Sequence, residues 1–260
     1  MAVTVFILGR PGSGKSAAAH RITKLAQRKD WASTHICDYV ILCKWFLSEK
    51  YNSLNKYRYF RSTENNGFDV IDFSILRKAL EEVERRIQKH LSSKKKFILI
   101  EFARGDYSEV LRTFSNEVLH KAYFLFLDSD IDTCIQRVRA RTSHPTTVHD
   151  HYVSEEIFRS YYHKDNKSYI LSQFAKDYDL DNRRVKVIDN AGSWDDFMRQ
   201  IKEFTDALFF EQELSISRES SNSLEVLSKQ ESGKRRKTGP LSGAFPSLGA
   251  PTCCPNSIKS

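Results

Sequence analysis

Apolar residues recur along the chain in two rhythms. Val3-Thr4-Val5-Phe6-Ile7-Leu8, Phe97-Ile98-Leu99-Ile100, Ala122-Tyr123-Phe124-Leu125-Phe126-Leu127 and Val185-Lys186-Val187-Ile188 are short, nearly unbroken runs. That is the pattern of strands buried on both faces of a parallel sheet. Ser33-Thr34-His35-Ile36-Cys37 predicts a further short strand. Between these runs the apolar residues return every three or four positions, as on one face of a helix. The segments are Ala17-Ala18-Ala19 with Ile22, Leu25 and Ala26; Val40, Ile41, Trp45 and Phe46; and Leu76, Leu80, Val83 and Ile87. Further along, Val110, Leu111, Phe114, Val118 and Leu119 predict one helix, and Ile131, Cys134, Ile135 and Val138 another. Ser154-Glu155-Glu156 opens a long helix through Ile157, Phe158, Tyr161 and Tyr162. Ser193-Trp194-Asp195-Asp196 is a capping box ahead of Phe197, Ile201, Phe204 and Leu208.

Five strands alternating with helices predict a doubly wound α/β domain with a parallel sheet and helices on both faces. The domain spans residues 1–210. Beyond it, residues 211–260 turn to Ser, Gly, Pro and basic charge with no sustained period, the composition of a disordered tail. Residues 48–70 are polar and aromatic. Tyr51, Tyr57, Arg58, Tyr59, Phe60 and Arg61 read either as a surface helix pair packed on the core or as a site for stacking bases and binding phosphates.

With 40% hydrophobic residues, 260 residues can bury one large core, and no run reaches the length of a membrane span. The apolar N-terminus leads into a glycine-rich loop rather than a cleavage site, so an unprocessed chain with no membrane partner is expected. The five cysteines form neither a disulfide framework nor paired C-x-x-C hooks, which fits reduced thiols in the cytoplasm. Gly233-Lys234-Arg235-Arg236-Lys237 resembles a nuclear localisation patch, the alternative address. A net charge of +8 suits either nucleic acid or a cleft that handles phosphates.

Candidate chemistry starts directly after the first strand, at Gly9-Arg10-Pro11-Gly12-Ser13-Gly14-Lys15-Ser16, between a predicted strand and a predicted helix. In that context G-x-x-x-x-G-K-[ST] is a phosphate cradle. Gly9, Pro11, Gly12, Ser13 and Gly14 shape the loop, Lys15 reaches the β and γ phosphates, and Ser16 ligates Mg²⁺. Asp38, at the end of the second strand, is either a ligand-facing carboxylate or a helix N-cap. Glu101 closes the next strong strand and can orient Mg²⁺ or act as a base, or else simply pair with Arg104. Arg104 can instead meet an acceptor phosphate. Arg137, Arg139 and Arg141 cannot share one helix face, so at least one pair should surround a common space, where it would neutralise a transferring phosphoryl group. Residues 137–153 form a candidate lid. Its His144, His149, His151 and Asp150 match no zinc-ligand spacing and read as a polar loop.

These motifs together resemble the adenylate kinase-like P-loop nucleoside and nucleotide kinases over about residues 1–210. The resemblance is carried by Gly9 to Ser16, by Glu101 with Arg104, by Cys134-x-x-Arg137 through Arg141, and by Asn190-Ala191-Gly192, which stands where that family has its base-contacting loop. It implies a P-loop NTPase fold with strand order 2-3-1-4-5, ATP and Mg²⁺ as cofactors, and a small-molecule phosphoryl acceptor. Asn190 and Gly192 would then touch the nucleotide. The usual Asp-Gly-Phe-Pro-Arg is absent, and no arginine follows Asp38 at three residues, which leaves the acceptor open. The expected activity is ATP-dependent phosphoryl transfer to a nucleoside or nucleoside monophosphate. Arginines outnumber carboxylates at the inferred cleft, which leans toward an acceptor carrying a phosphate. The alternatives are an ATP-binding regulatory protein with little or no transfer, and a kinase of nucleic-acid 5′ ends.

Overall fold

Val3 through Leu8 are buried without interruption. In the computed structural model, which describes residues 2–52, 58–63, 67–144 and 151–235, this run is the central strand of the molecule. The strands in chain order are β1 (Ala2–Leu8), β2 (Ala32–Cys37), β3 (Phe60–Ser62), β4 (Phe68–Val70), β5 (Lys96–Glu101), β6 (Tyr123–Asp128) and β7 (Val185–Asp189). The first helices are α1 (Lys15–Gln27), α2 (Asp38–Tyr51), α3 (Ser74–Gln88), α4 (Tyr107–Val110) and α5 (Asn116–Leu119). They are followed by α6 (Ile131–Thr142), α7 (Glu155–Tyr161), α8 (Lys167–Ser172), α9 (Phe174–Asp177) and α10 (Trp194–Arg235).

The main sheet is parallel, in the order β2-β5-β1-β6-β7. Numbered over all seven strands this is not the expected 2-3-1-4-5. The difference is a separate antiparallel hairpin, β3–β4, inserted between β2 and β5, which shifts the label of each later strand. Central strands read as unbroken apolar runs because both faces are covered. Phe6 packs in one core cluster with α3, while Val5 and Ile7, pointing the opposite way, are equally buried. The edge strands β2 and β7 show mixed patterns because only part of each is covered. On the α3 side, Phe6 stacks on Phe124 at 5.2 Å and meets Phe114 edge-on at 5.0 Å. No helix among the described residues is long and apolar enough to cross a membrane.

Three expected helices take other forms. The stretch around Tyr59 to Arg61 is the hairpin rather than a helix pair, with Phe60 and Phe68 turned inward against Phe46 of α2. Tyr57 lies outside the described residues. The helix expected over Val110 to Leu119 is broken into α4, a 3-10 turn (Leu111–Thr113) and α5. There Phe114 is extended and buried, so packing overrides the helical period. The long helix expected from Ser154 ends at Tyr161, and just beyond it the carbonyls of Tyr162 and Lys164 accept from the Arg10 guanidinium. The Ser193 cap does form, with Asp196 N donating to its hydroxyl.

The chain divides into a compact unit, Met1–Leu208, and a second unit from Phe209. α10 continues to Arg235, so helix occupies the first part of the stretch read as a tail. Residues 236–260, with Arg236, Lys237 and the Cys253-Cys254 pair, lie outside the described residues, as do His149 and Asp150 of the expected lid.

Candidate active site

The loop after β1 cannot be built from ordinary residues. Gly12 has φ +81 and Gly14 φ +101. A Cβ on Gly12 would fall 2.5 Å from the Cys134 carbonyl oxygen, and one on Gly14 would fall 2.7 Å from Asn190 Nδ2. The loop feeds α1, whose N-cap is Gly14. No side chain caps this helix and no acidic residue occupies its first turn. Its N–H groups and positive dipole end therefore face outward as an anion site. Lys15 is buried and curls back to donate to the Arg10 carbonyl at 2.7 Å. Burial pushes its pKa down, with Glu101 opposing.

One cavity of about 230 Å³ gathers most of the expected residues. Pro11, Gly12, Gly14, Lys15 and Ser16 form one end, Asp38, Glu101 and Arg104 the floor, and Arg137 and Arg141 the side toward α6. Arg139, the middle arginine of α6, points away to an ion pair with Glu155. Arg137 donates to the Asn190 carbonyl at 2.8 Å, and Arg141 donates to the His151 carbonyl at 3.3 Å.

The two floor carboxylates have opposite environments. Ser16 Oγ donates to Glu101 Oε1 at 2.8 Å, and His35 Nε2 stands 2.9 Å from Oε2. Burial alone would raise the Glu101 pKa, but His35, Lys15 and Ser16 together outweigh it and hold the carboxyl down at about 2. Asp38 is also buried and pairs with Arg104, whose Nη1 donates to Oδ2 at 2.5 Å. Here burial dominates and the Asp38 pKa is raised, with Arg104 only partly offsetting it. Asp38 is thus the partner of Arg104 rather than a helix cap, and Glu101 does not pair with Arg104 at all. Two more of the Arg104 Nη N–H groups donate to the carbonyls of Ala103 and Leu76. Among the described residues its buried Nε–H has no acceptor. The rest of the cavity wall is apolar and aromatic, with Tyr39, Phe68, Phe73, Leu76 and Tyr161.

Other expected residues lie beside the cavity rather than in its wall. Gly9 is held by Tyr107, and the Ser13 carbonyl accepts from Asn190 Nδ2 at 2.9 Å. Asn190 is buried against the loop, whereas Gly192 is exposed, and neither lines the cavity. Three residues went unread in the sequence. The Tyr107 hydroxyl accepts from Gly9 N at 2.9 Å and Arg104 N at 3.3 Å, bolting the loop to the end of β5. Arg10 ties the loop to the carbonyls of Ser129, Tyr162 and Lys164. His35 braces Glu101. None of the three falls on a periodic or motif position that marks it.

Ser16 and Glu101 also meet the requirements of the Mg²⁺ that the loop motif implies. They offer a hydroxyl and an ionised carboxylate, hard oxygen donors that already converge at 2.8 Å. Among the described residues no group of three or more His, Cys, Asp or Glu could hold a metal. A Mg²⁺ that takes one or two protein oxygens and completes its shell with phosphates and water needs no such group.

No family model matches the sequence, and no curated protein does either. Solved structures do match. Kti12 of Chaetomium thermophilum, in complex with ADP-AlF3, aligns at 9% identity over 79% of this chain and 97% of its own, with TM-score 0.50. The APS kinase CysC of Mycobacterium tuberculosis, in complex with AMPPNP and APS, aligns at 12% identity over 79% and 98%, with TM-score 0.45. A gluconokinase from Sinorhizobium meliloti 1021 aligns at 12% over 80% and 97%, with TM-score 0.43. At these identities the likeness speaks for architecture alone: the chain shares the α/β fold of Kti12.

Proposed function

We propose that this chain is an ATP-dependent kinase of a small acceptor of the nucleoside class, and that the accepting group is a hydroxyl. The observation that carries this reading is the single cavity running from the phosphate loop to the buried Asp38–Arg104 pair. The N-terminus of α1 and Lys15 bind the ATP phosphates, and Arg137 and Arg141 neutralise the group in flight. Ser16 and Glu101 would hold Mg²⁺, which when bound supplies charge neutralisation between the β and γ phosphates.

The opposed carboxylate environments divide the labour. A carboxyl at about 2 is a poor base and a good metal ligand, so Glu101 takes the ion. Asp38, whose pKa is raised, takes the acceptor's proton. The lean toward a phosphate-bearing acceptor gives way here. Arg104 lines the cavity beside Asp38, and three of its five N–H groups are already committed to Asp38 and two carbonyls. Its charge is already shared with the Asp38 carboxylate, which weakens the hold it could have on an acceptor phosphate and leaves its Nε–H for a neutral oxygen. The aromatic wall suits a planar base and excludes water.

The test is ADP release from ATP across nucleosides, nucleoside monophosphates, sugars and 5′-hydroxyl oligonucleotides. A nucleoside should stimulate release most. Stimulation by monophosphates alone would contradict the hydroxyl assignment, and stimulation by none would remove the kinase reading.

A further inference from the structure

The Glu101 carboxylate is held from two sides, and one of them lies outside the cavity. Oε1 accepts from Ser16 on α1, while Oε2 lies 2.9 Å from His35 Nε2, a close contact outside hydrogen-bond alignment. β2 runs parallel to β5 with Cys37 opposite Glu101 and His35 opposite Leu99. Side chains two apart on a strand share a face, so this register carries the imidazole to the rear of the carboxylate. β2 is one of the two edge strands of the main sheet, and the His35 side chain keeps 28% of its exposure while Glu101 is buried. Among the described residues His35 is absent from the cavity wall and meets the site through its contact with Glu101.

We infer that His35 is a positioning residue. It fixes the rotation of the Glu101 carboxylate so that Oε1 and the Ser16 hydroxyl present a ready pair of oxygens to a divalent cation carried by the nucleotide. A carboxylate held at one oxygen only can swing about its terminal bond, a soft torsion, and a second contact removes that freedom. The inference rests on the proposed nucleotide site, and the experiment separates the two.

Binding of ADP is measured by calorimetry in Mg²⁺ and, separately, in EDTA, for the full-length wild-type chain and for His35→Ala, His35→Gln and His35→Thr. The threonine suits a strand edge and serves the comparison if the alanine variant folds poorly. His35→Ala and His35→Thr should bind ADP in Mg²⁺ about 10-fold more weakly, the usual loss when the partner of a metal ligand is removed. Binding in EDTA should stay within about 2-fold of wild type. His35→Gln, which keeps a side-chain N–H, should recover most of the Mg²⁺-dependent affinity. Equal losses with and without Mg²⁺, or no loss in either, would overturn the positioning role. A wild-type chain that binds ADP in neither condition would overturn the nucleotide site itself, a different result from a variant that loses only the metal-dependent part.

Discussion

Replacing Tyr107 by Phe removes one oxygen atom and should loosen the whole phosphate loop. The ring would stay, with its contacts to Phe102 and Phe126. The hydroxyl serves four backbone groups: it accepts from Gly9 N and Arg104 N and lies within reach of the Gly9 and Phe102 carbonyls at 3.2 and 3.3 Å. Without it two buried N–H groups lose their acceptor, and each such orphan costs about 1–3 kcal/mol. The Arg104 contact, at 3.3 Å, is at the long end and sits at the bottom of that range. A total of about 3 kcal/mol follows, which for a unit of this size lowers Tm by roughly 6–12 °C. Scanning calorimetry of the wild type and Tyr107→Phe reads this directly, and ADP titration should show weaker binding as Gly9 loses its anchor. A Tm within about 2 °C of wild type would show that the hydroxyl does not hold the loop.

Lys15→Ala should lower turnover by about 10²–10³-fold, because the proposed site gives its ammonium to the ATP phosphates, while circular dichroism and Tm stay close to wild type. Asp38→Asn should lower kcat by roughly 10²–10⁴-fold with the acceptor KM little changed, as steady-state kinetics will report. In the wild type, kcat/KM should fall as pH drops through the Asp38 pKa, because the protonated carboxyl cannot accept. With that pKa raised above 3.8, the acid limb should lie above 3.8 and be absent from Asp38→Asn. Gly12→Ala should abolish ADP binding by titration, because φ +81 and a carbonyl 2.5 Å from the new methyl force the loop to move. Deleting residues 211–260 should leave Tm nearly unchanged, since the compact unit ends at Leu208; loss of a cooperative melt would place the boundary wrongly.

Much of the frame was legible because it rests on local patterns. The run before Gly9, the glycine spacing and the alanines after Ser16 are contiguous and place a strand, a loop and a helix in order. Glu101 was readable for a related reason, since it closes an apolar run. What escaped was long-range pairing. Asp38 and Arg104 are 66 residues apart, and sequence proximity instead suggested Glu101 as the partner of Arg104. Tyr107 sits 98 residues from Gly9 on no motif, and its role depends on β5 ending beside the loop. The hairpin had a signal in Asn66-Gly67, a strong turn dipeptide. Its three-residue strands are too short to show alternation, and the surrounding aromatics read equally well as a packed helix. The broken segment from α4 to α5 shows apolar residues at helical spacing that packing bends out of a helix.

If a phosphoryl group passes from ATP to an acceptor hydroxyl in this cavity, ADP release by itself does not distinguish that transfer from hydrolysis. The most direct measurement uses ATP labelled in its γ-phosphoryl group together with the nucleoside that most stimulates ADP release, and follows the label by mass spectrometry. The label should appear on a hydroxyl of the nucleoside, one for each ADP formed. Label found only as inorganic phosphate, or transferred only to acceptors that already carry a phosphate, would contradict it.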